Sequence, residues 1–417
     1  MLTKSIHFYR LNPVLLTDLF KIKKRREGKS PLFSFLLFLV LSVQKEATGK
    51  ELVREIANGV IYKEIKEPDK KRSFHLLTVD PHKARISIAA AKTYHFSSET
   101  TSAIAKRTNA VAAINGSFFA PLYSSFFTSV VSKLFEFFGY SSYQAYPIYG
   151  LKIAGQWVTV PHLFTGMLGW KNGGLETLCD AIRPTVNLTL GNISYPVKEI
   201  NTRSKQWPVI YTPFFGQATP ARTVPQTEIV VTSGLITALK TNCYGATPLL
   251  SNQFVYSIDT KESDSNLLAI KLGQEATLTV HCQSSKNRTL DTQWSSMDYC
   301  LASTPILLYK KTITSALREA KSDFYVHKEP RTAVGIRADG VWVFLVADGH
   351  SAQAQGLSLL ELAETMQQLD CIYALNLDGG GSSTMVVQGS VINKPSDHFF
   401  SLFSNEKPVS HALVIHP

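Results

Sequence analysis

An uncharged apolar run, Ile372 to Leu377, leads straight into Asp378-Gly379-Gly380-Gly381-Ser382-Ser383 and out through Thr384-Met385-Val386-Val387. Three successive glycines cost more backbone entropy on folding than other residues, so a stable chain keeps them where it must turn tightly or admit a ligand to the main chain. The segment therefore reads as a strand, a sharp bend and a second strand. Just upstream, Val341-Trp342-Val343-Phe344-Leu345-Val346 is another short apolar run, ending at Asp348-Gly349. Between the two, Ser358-Leu359-Leu360-Glu361 has the form of a capping box, the reciprocal pairing of a serine and a glutamate that opens a helix. Leu359, Leu362, Ala363, Met366 and Leu369 then give that helix one apolar face. The spacing predicts a strand, helix, strand unit.

The rest of the chain alternates in the same way but more loosely. An edge strand is expected around Gly59-Val60-Ile61-Tyr62, strands over 75–79 and 85–90, a helix over 100–107 and a buried strand over 110–114 running into Asn115-Gly116-Ser117-Phe118-Phe119. Residues 150–300 are rich in Gly, Thr and Val, with turn signals at Gly155, Gly191, Gly234 and Gly273, and read as mostly antiparallel sheet. The helix, strand and turn ending at Asn115-Gly116 echo those ending at Asp378-Gly379, which would bring both turns to one sheet edge. The expected fold class is α+β: a mixed, largely antiparallel β-sheet core flanked by helices, with a C-terminal strand, helix, strand unit. Leu122 to Tyr146 crowds aromatic residues beside few charges and reads as a packing insert, with a lid or a lipid-touching helix as the competing readings.

The formal charge of +11 looks like a nucleic-acid signal until it is located. Residues 1–72 hold 16 Lys/Arg against 8 Asp/Glu, leaving 27 against 24 in the remainder. Nucleic-acid binding needs basic side chains clustered on the folded surface, so no nucleic-acid partner is expected. Lys23-Lys24-Arg25-Arg26 and Lys29 instead precede the uncharged run Leu32 to Val43. That run is 12 residues long, short of the roughly 20 a spanning helix needs and inside the roughly 7–15 of a signal-peptide core. Residues 1–50 are thus read as an export signal or short anchor whose segment 32–43 meets a membrane or envelope surface, and residues 51–417 as the catalytic domain. Five cysteines without a C-x-x-C pair argue against a zinc site. Export would permit one or two disulfides, with Cys243, Cys282 and Cys300 the candidates, against buried inert thiols as the competing reading.

Successive amides in the Gly379-Gly380-Gly381 bend can form a nest for an anion, with Ser382 and Ser383 adding hydroxyl donors and Asp378 at the entrance. A glycine-rich hairpin with a capping aspartate is the bland alternative. Arg331 enters an otherwise apolar strand in Pro330-Arg331-Thr332-Ala333-Val334-Gly335-Ile336. Its planar fork suits phosphate oxygens, and a structural salt bridge with Asp348 or Asp378 is the alternative. Asp348-Gly349-His350 is a third turn at a strand end.

Taken together, Asn115-Gly116-Ser117-Phe118-Phe119, Tyr211-Thr212-Pro213-Phe214-Phe215-Gly216, Arg331-Thr332-Ala333-Val334-Gly335-Ile336, Asp348-Gly349 and Asn376-Leu377-Asp378-Gly379-Gly380-Gly381-Ser382-Ser383-Thr384-Met385 resemble, in that order, the motifs of the phosphodiester glycosidase family. The likeness covers roughly residues 75–416 and is strongest from Pro330 to Val387. It implies a cofactor-free hydrolase that releases a sugar, N-acetylglucosamine among the candidates, from a sugar-1-phosphodiester. Arg331, Asp348 and Asp378 are the expected catalytic residues. Asn115, Gly116, Ser117, Thr332, Gly379, Gly380, Gly381, Ser382 and Ser383 are expected to bind substrate. A metal-dependent phosphodiesterase using Asp348, Asp378 and His350, and a non-catalytic glycan-binding module, are the rival readings.

Overall fold

The apolar runs of the carboxy-terminal section become neighbours in one eight-stranded sheet. In a computed structural model that describes residues 51–92, 96–121, 145–161, 163–202, 208–396 and 406–417, its order is Glu51–Ala57, Val60–Glu67, Arg72–Val79, Trp342–Ala347, Arg331–Arg337, Cys371–Asn376, Ile306–Tyr309 and Thr312–Ile313. Each pairing along this order is antiparallel. The Trp342 and Cys371 strands both run against the Arg331 strand, so they are parallel to each other and the helix Leu359–Gln368 joins them. The strand, helix, strand unit therefore straddles a third strand that precedes it in sequence.

Side chains alternate across this sheet with period two. Val334, Phe344, Leu375 and Leu77 face a core shared with a second, five-stranded sheet, ordered Ser390–Val391, Met385–Val387, Ala112–Asn115, His411–His416 and Arg85–Ala90. Ala333, Leu345, Ala374 and Leu76 face the other way, onto Leu359, Leu362, Ala363 and Met366 of the helix. Both faces are buried, which explains why these strands read as continuous apolar runs rather than alternating ones. The helix starts as its sequence predicts: Ser358 Oγ accepts from Glu361 N and Glu361 accepts from Ser358 N, closing the capping box. Each of its large buried apolar side chains contributes about 1.5–3 kcal/mol on burial.

Residues 150–300 supply most of a seven-stranded and a five-stranded sheet, mostly antiparallel, with a separate core around Trp294, Ile182, Leu188 and Tyr256. The fold is accordingly rich in β-sheet, and the longest described helix is Leu359–Gln368 at 10 residues. Several expectations change. The edge strand is Glu51–Ala57, and Gly59, at φ +74°, is the hairpin turn between it and Val60–Glu67 rather than part of a strand. A side chain at Gly59 would also press on Lys83. All five cysteines are free thiols, four of them buried, so the expected disulfides among Cys243, Cys282 and Cys300 are not formed. The leader run Leu32 to Val43 and residues 122–144 of the aromatic insert lie outside the described residues. No described helix is long and apolar enough to cross a membrane.

Candidate active site

The turns after Asn115 and after Leu377 meet, although their strands belong to different sheets. Asn115 is the brace: its Nδ2 donates to the carbonyls of Asp378 (2.8 Å) and Gly116 (3.2 Å), while its Oδ1 accepts from Thr332 Oγ1 (2.8 Å) and Thr384 N (3.1 Å). Asp378 N donates back to Gly116 O. Asn115 and Thr332 are fully buried and spend these groups on the protein, so they hold the bend in place rather than face a ligand. Gly116 is dictated by space, since a Cβ there would lie 2.2 Å from Cδ2 of His411. Next to it, Ser117 N donates to His411 Nε2 at 3.0 Å, with the Ser117 hydroxyl 3.3 Å from the same nitrogen. Full burial brings the His411 pKa down to about 3, so the ring is neutral at physiological pH.

In the glycine bend itself, Gly379 N donates to Asp378 Oδ1, Gly380 N to Pro330 O, Ser382 N to Gly379 O and Ser383 N to Gly380 O. Four amides of the expected anion nest are thus used in making the turn. Gly379 passes tightly over the Arg331 strand, where a Cβ would sit 2.9 Å from Pro330 O, whereas Gly380, at φ +59°, has open space above it. The hydroxyls of Ser382, Ser383 and Thr384 are buried without a hydrogen-bond partner among the described residues. Buried hydroxyls are normally paired, so three in a row mark a place where a ligand or water completes the set.

The two aspartates differ sharply. Burial alone would raise the Asp348 pKa, but His75 Nε2 (3.2 Å), Lys394 N (2.9 Å) and Ser73 Oγ (3.0 Å) all point at its carboxylate and bring it below the usual range. His75 is held in turn by the Tyr62 hydroxyl at 2.9 Å from Nδ1. For Asp378, burial dominates and raises the pKa. The Ser382 hydroxyl, the Lys407 ammonium and the Gly379 amide oppose this without cancelling it. Ser382 acts there through proximity, its hydroxyl making no hydrogen bond of good geometry. Asp378 remains half-buried, at the open side of the bend. The Lys407 ammonium that faces it also lies 5.3 Å from the centre of the Phe119 ring.

Arg331 is buried beside the bend and is neither a salt bridge to an aspartate nor an open fork. Its Nε donates to Leu357 O, and its Nη2 donates to Phe324 O and His327 O, each at 3.0 Å. Three of the five guanidinium donors thus hold backbone carbonyls. Burial brings its pKa down to about 10, which still leaves it charged. The carbonyls it holds fix Phe324 against Phe118, ring centres 6.0 Å apart, in a wall next to Ser117. His350 instead pairs with Glu329 at 2.5 Å on the surface. Among the described residues no three His, Cys, Asp or Glu side chains gather as a metal-binding group.

The structure thus brings Asn115, Gly116, Ser117, Asp378, the three glycines, Ser382 and Ser383 to one junction, with Arg331 and Thr332 beneath it and Asp348 beyond the Arg331 strand. It adds Lys407, His411 and His75, which sequence reasoning missed. His75 and His411 carried a signal of the kind that singled out Arg331, a lone polar ring in an apolar strand. Lys407 carried none.

Residues 226–416 match the family model described as phosphodiester glycosidase. The N-acetylglucosamine-1-phosphodiester alpha-N-acetylglucosaminidase of Mus musculus is 48% identical over 87 residues, which cover 21% of this chain and 17% of that protein. The match spans about a sixth of that curated relative's length. Among solved structures, a hypothetical protein from Synechocystis superposes with a TM-score of 0.65 at 18% identity, covering 88% of this chain and 63% of that one. A protein from Burkholderia pseudomallei K96243 superposes with a TM-score of 0.63 at 21% identity, covering 83% and 74%. At those identities the two structures speak for the fold.

Proposed function

We propose, from the premise that residues 226–416 are a phosphodiester glycosidase region, that this chain hydrolyses the bond between an anomeric carbon and a phosphodiester, with Asp378 as its central catalytic residue. The observation that carries the reading is the raised pKa of Asp378 at the open side of the glycine bend, set against the lowered pKa of Asp348 across the Arg331 strand. Asp378 is the carboxyl group left short of donors and able to exchange a proton, while Asp348 is held ionised by its partners.

In this mechanism water attacks the anomeric carbon and gives its proton to Asp378. The bond from that carbon to the phosphate oxygen breaks, and its electron pair leaves on the phosphate. The products are a free sugar and a phosphomonoester. The second ionisation of such a phosphate lies near ~6, so it departs with little protonation and the main task is to hold developing negative charge. Lys407 is the cation assigned to that task. Asp348 stays ionised and anchors the neighbouring strand end. Asn115, Thr332 and Arg331 act as positioning residues, the first two under the bend and the third through the Phe324 wall.

The sugar bound is N-acetylglucosamine or a close analogue, a choice supported by the name of the mouse relative. The basic stretch ahead of Leu32 to Val43 supports export, with residues 51–417 as the catalytic domain. The test is hydrolysis of a panel of sugar-1-phosphate diesters in isotopically labelled water. Label in the sugar is the expected result, and label in the phosphate would assign the chain to phosphodiesterases instead.

A further inference from the structure

A cavity of about 940 Å³ shares no lining residue with the junction described above. Its size is that of a small-molecule site, roughly 300–1,000 Å³. Its described lining holds Lys152, Lys92, Arg107 and His281 but no aspartate or glutamate, together with the aromatic rings of Trp157 and Phe214 and the amide of Gln156; Lys92 is exposed to solvent. Arg107 already has a counter-charge, since its guanidinium pairs with Glu99 at 2.8 Å.

Lys152 does not. The strand Leu151–Ile153 pairs it with Cys300 on one side and Trp157 on the other, and the residue is only 4% exposed. Its ammonium donates to Ser295 O at 2.9 Å and lies 5.8 Å from the centre of the Trp157 ring. The nearby thiols of Cys282 and Cys300 cannot neutralise it, because burial pushes the Cys282 pKa up to about 12 and that of Cys300 higher. An ammonium has three donors, and a buried one without an anion is costly to keep. A chain that spends such a cation on a cavity wall has a use for it there. Aromatic rings and amide or hydroxyl groups around it suit the faces and hydroxyls of a sugar.

We propose that this cavity is a second carbohydrate site, which takes a phosphate-bearing sugar with its phosphate on Lys152 Nζ and its ring against Trp157 and Phe214. Lys152, Trp157 and Phe214 lie outside residues 226–416, whereas residues 251–254, 278–281 and Ser295 of the same lining lie inside them. The site stands whether or not Asp378 performs the proposed hydrolysis.

Calorimetric titration of the full chain tests this, with glucose 1-phosphate, glucose and inorganic phosphate as probes and the Asp378→Asn variant beside the wild type. Both proteins are expected to bind glucose 1-phosphate saturably and equally, with glucose and inorganic phosphate at least about tenfold weaker. Lys152→Met keeps the apolar stem and removes the charge, and should weaken binding at least about tenfold. Gln156→Trp fills the cleft from an exposed position without touching the core, and should do the same should Lys152→Met fold poorly. No saturable binding to about 10 mM, unchanged binding in Gln156→Trp, loss of binding in Asp378→Asn, or equal binding of inorganic phosphate would each overturn the proposal.

Discussion

Asp348 and Asp378 close two strands that flank the Arg331–Arg337 strand, one on either side, and each is followed by glycine. At Asp348 a hydroxyl, an imidazole and an amide all point at the carboxylate, and the segment at Lys394 is tied to the sheet through it. At Asp378 one backbone amide is well placed, neighbouring hydroxyls are unpaired, and space opens over Gly380. Burial acts in the same direction on both, and the number of donors decides the outcome. A carboxylate saturated with donors is an anchor, and one left short of them has a higher proton affinity and can exchange a proton. The same strand-end motif therefore serves structure on one side of Arg331 and, in the proposed function, chemistry on the other.

The largest effect expected is on turnover. Asp378→Asn should lower hydrolysis of a sugar-1-phosphate diester by about 10³-fold without lowering the melting temperature, because no donor-rich network is broken. Near-normal turnover would move the chemistry to Asp348 and reverse the comparison. Asp348→Ala should instead strand the Ser73 hydroxyl, the His75 ring and the Lys394 amide, costing about 3 kcal/mol in urea unfolding. A cost under about 1 kcal/mol would show that it is not an anchor.

The two groups also predict opposite slopes of stability with pH. The depressed pKa of Asp348 means that its contribution is present above about 3.9, the unfolded value, and is lost as pH falls through the folded value. The raised pKa of Asp378 means that its contribution is present below about 3.9 and is lost as pH rises through the folded value. Melting curves against pH should therefore flatten on the acid side in Asp348→Asn and above about pH 4 in Asp378→Asn. Equal curves for the two variants would erase the distinction.

Lys407→Met sharpens the same point through activity. Removing a cation that lowers the Asp378 pKa should shift the acid limb of the activity profile to higher pH, with an unmoved limb showing that Lys407 does not act on the base. The smallest effect is Gly380→Ala, which has room for a Cβ but a φ of +59°, and should cost about 1 kcal/mol by chemical unfolding.

Much of the frame was legible in the sequence because it is written in neighbouring residues. Apolar runs marked strands, one apolar face at helical spacing with a capping box marked the helix, and three glycines marked the bend. The order of motifs carried a family resemblance that the match over residues 226–416 supports, and the motifs contained most residues of the junction. What the sequence could not supply was the partner of each polar group. Asn115 meets Asp378 across 263 positions and His75 meets Asp348 across 273, contacts that exist only once sheet order and register are set. Arg331 showed its charge but not its destination, because the carbonyls of Leu357, Phe324 and His327 belong to every residue type alike. Local pattern encodes where the chain turns and which faces are buried, while proton affinity depends on donors gathered from distant segments, and so only the tertiary structure could distinguish one aspartate from the other.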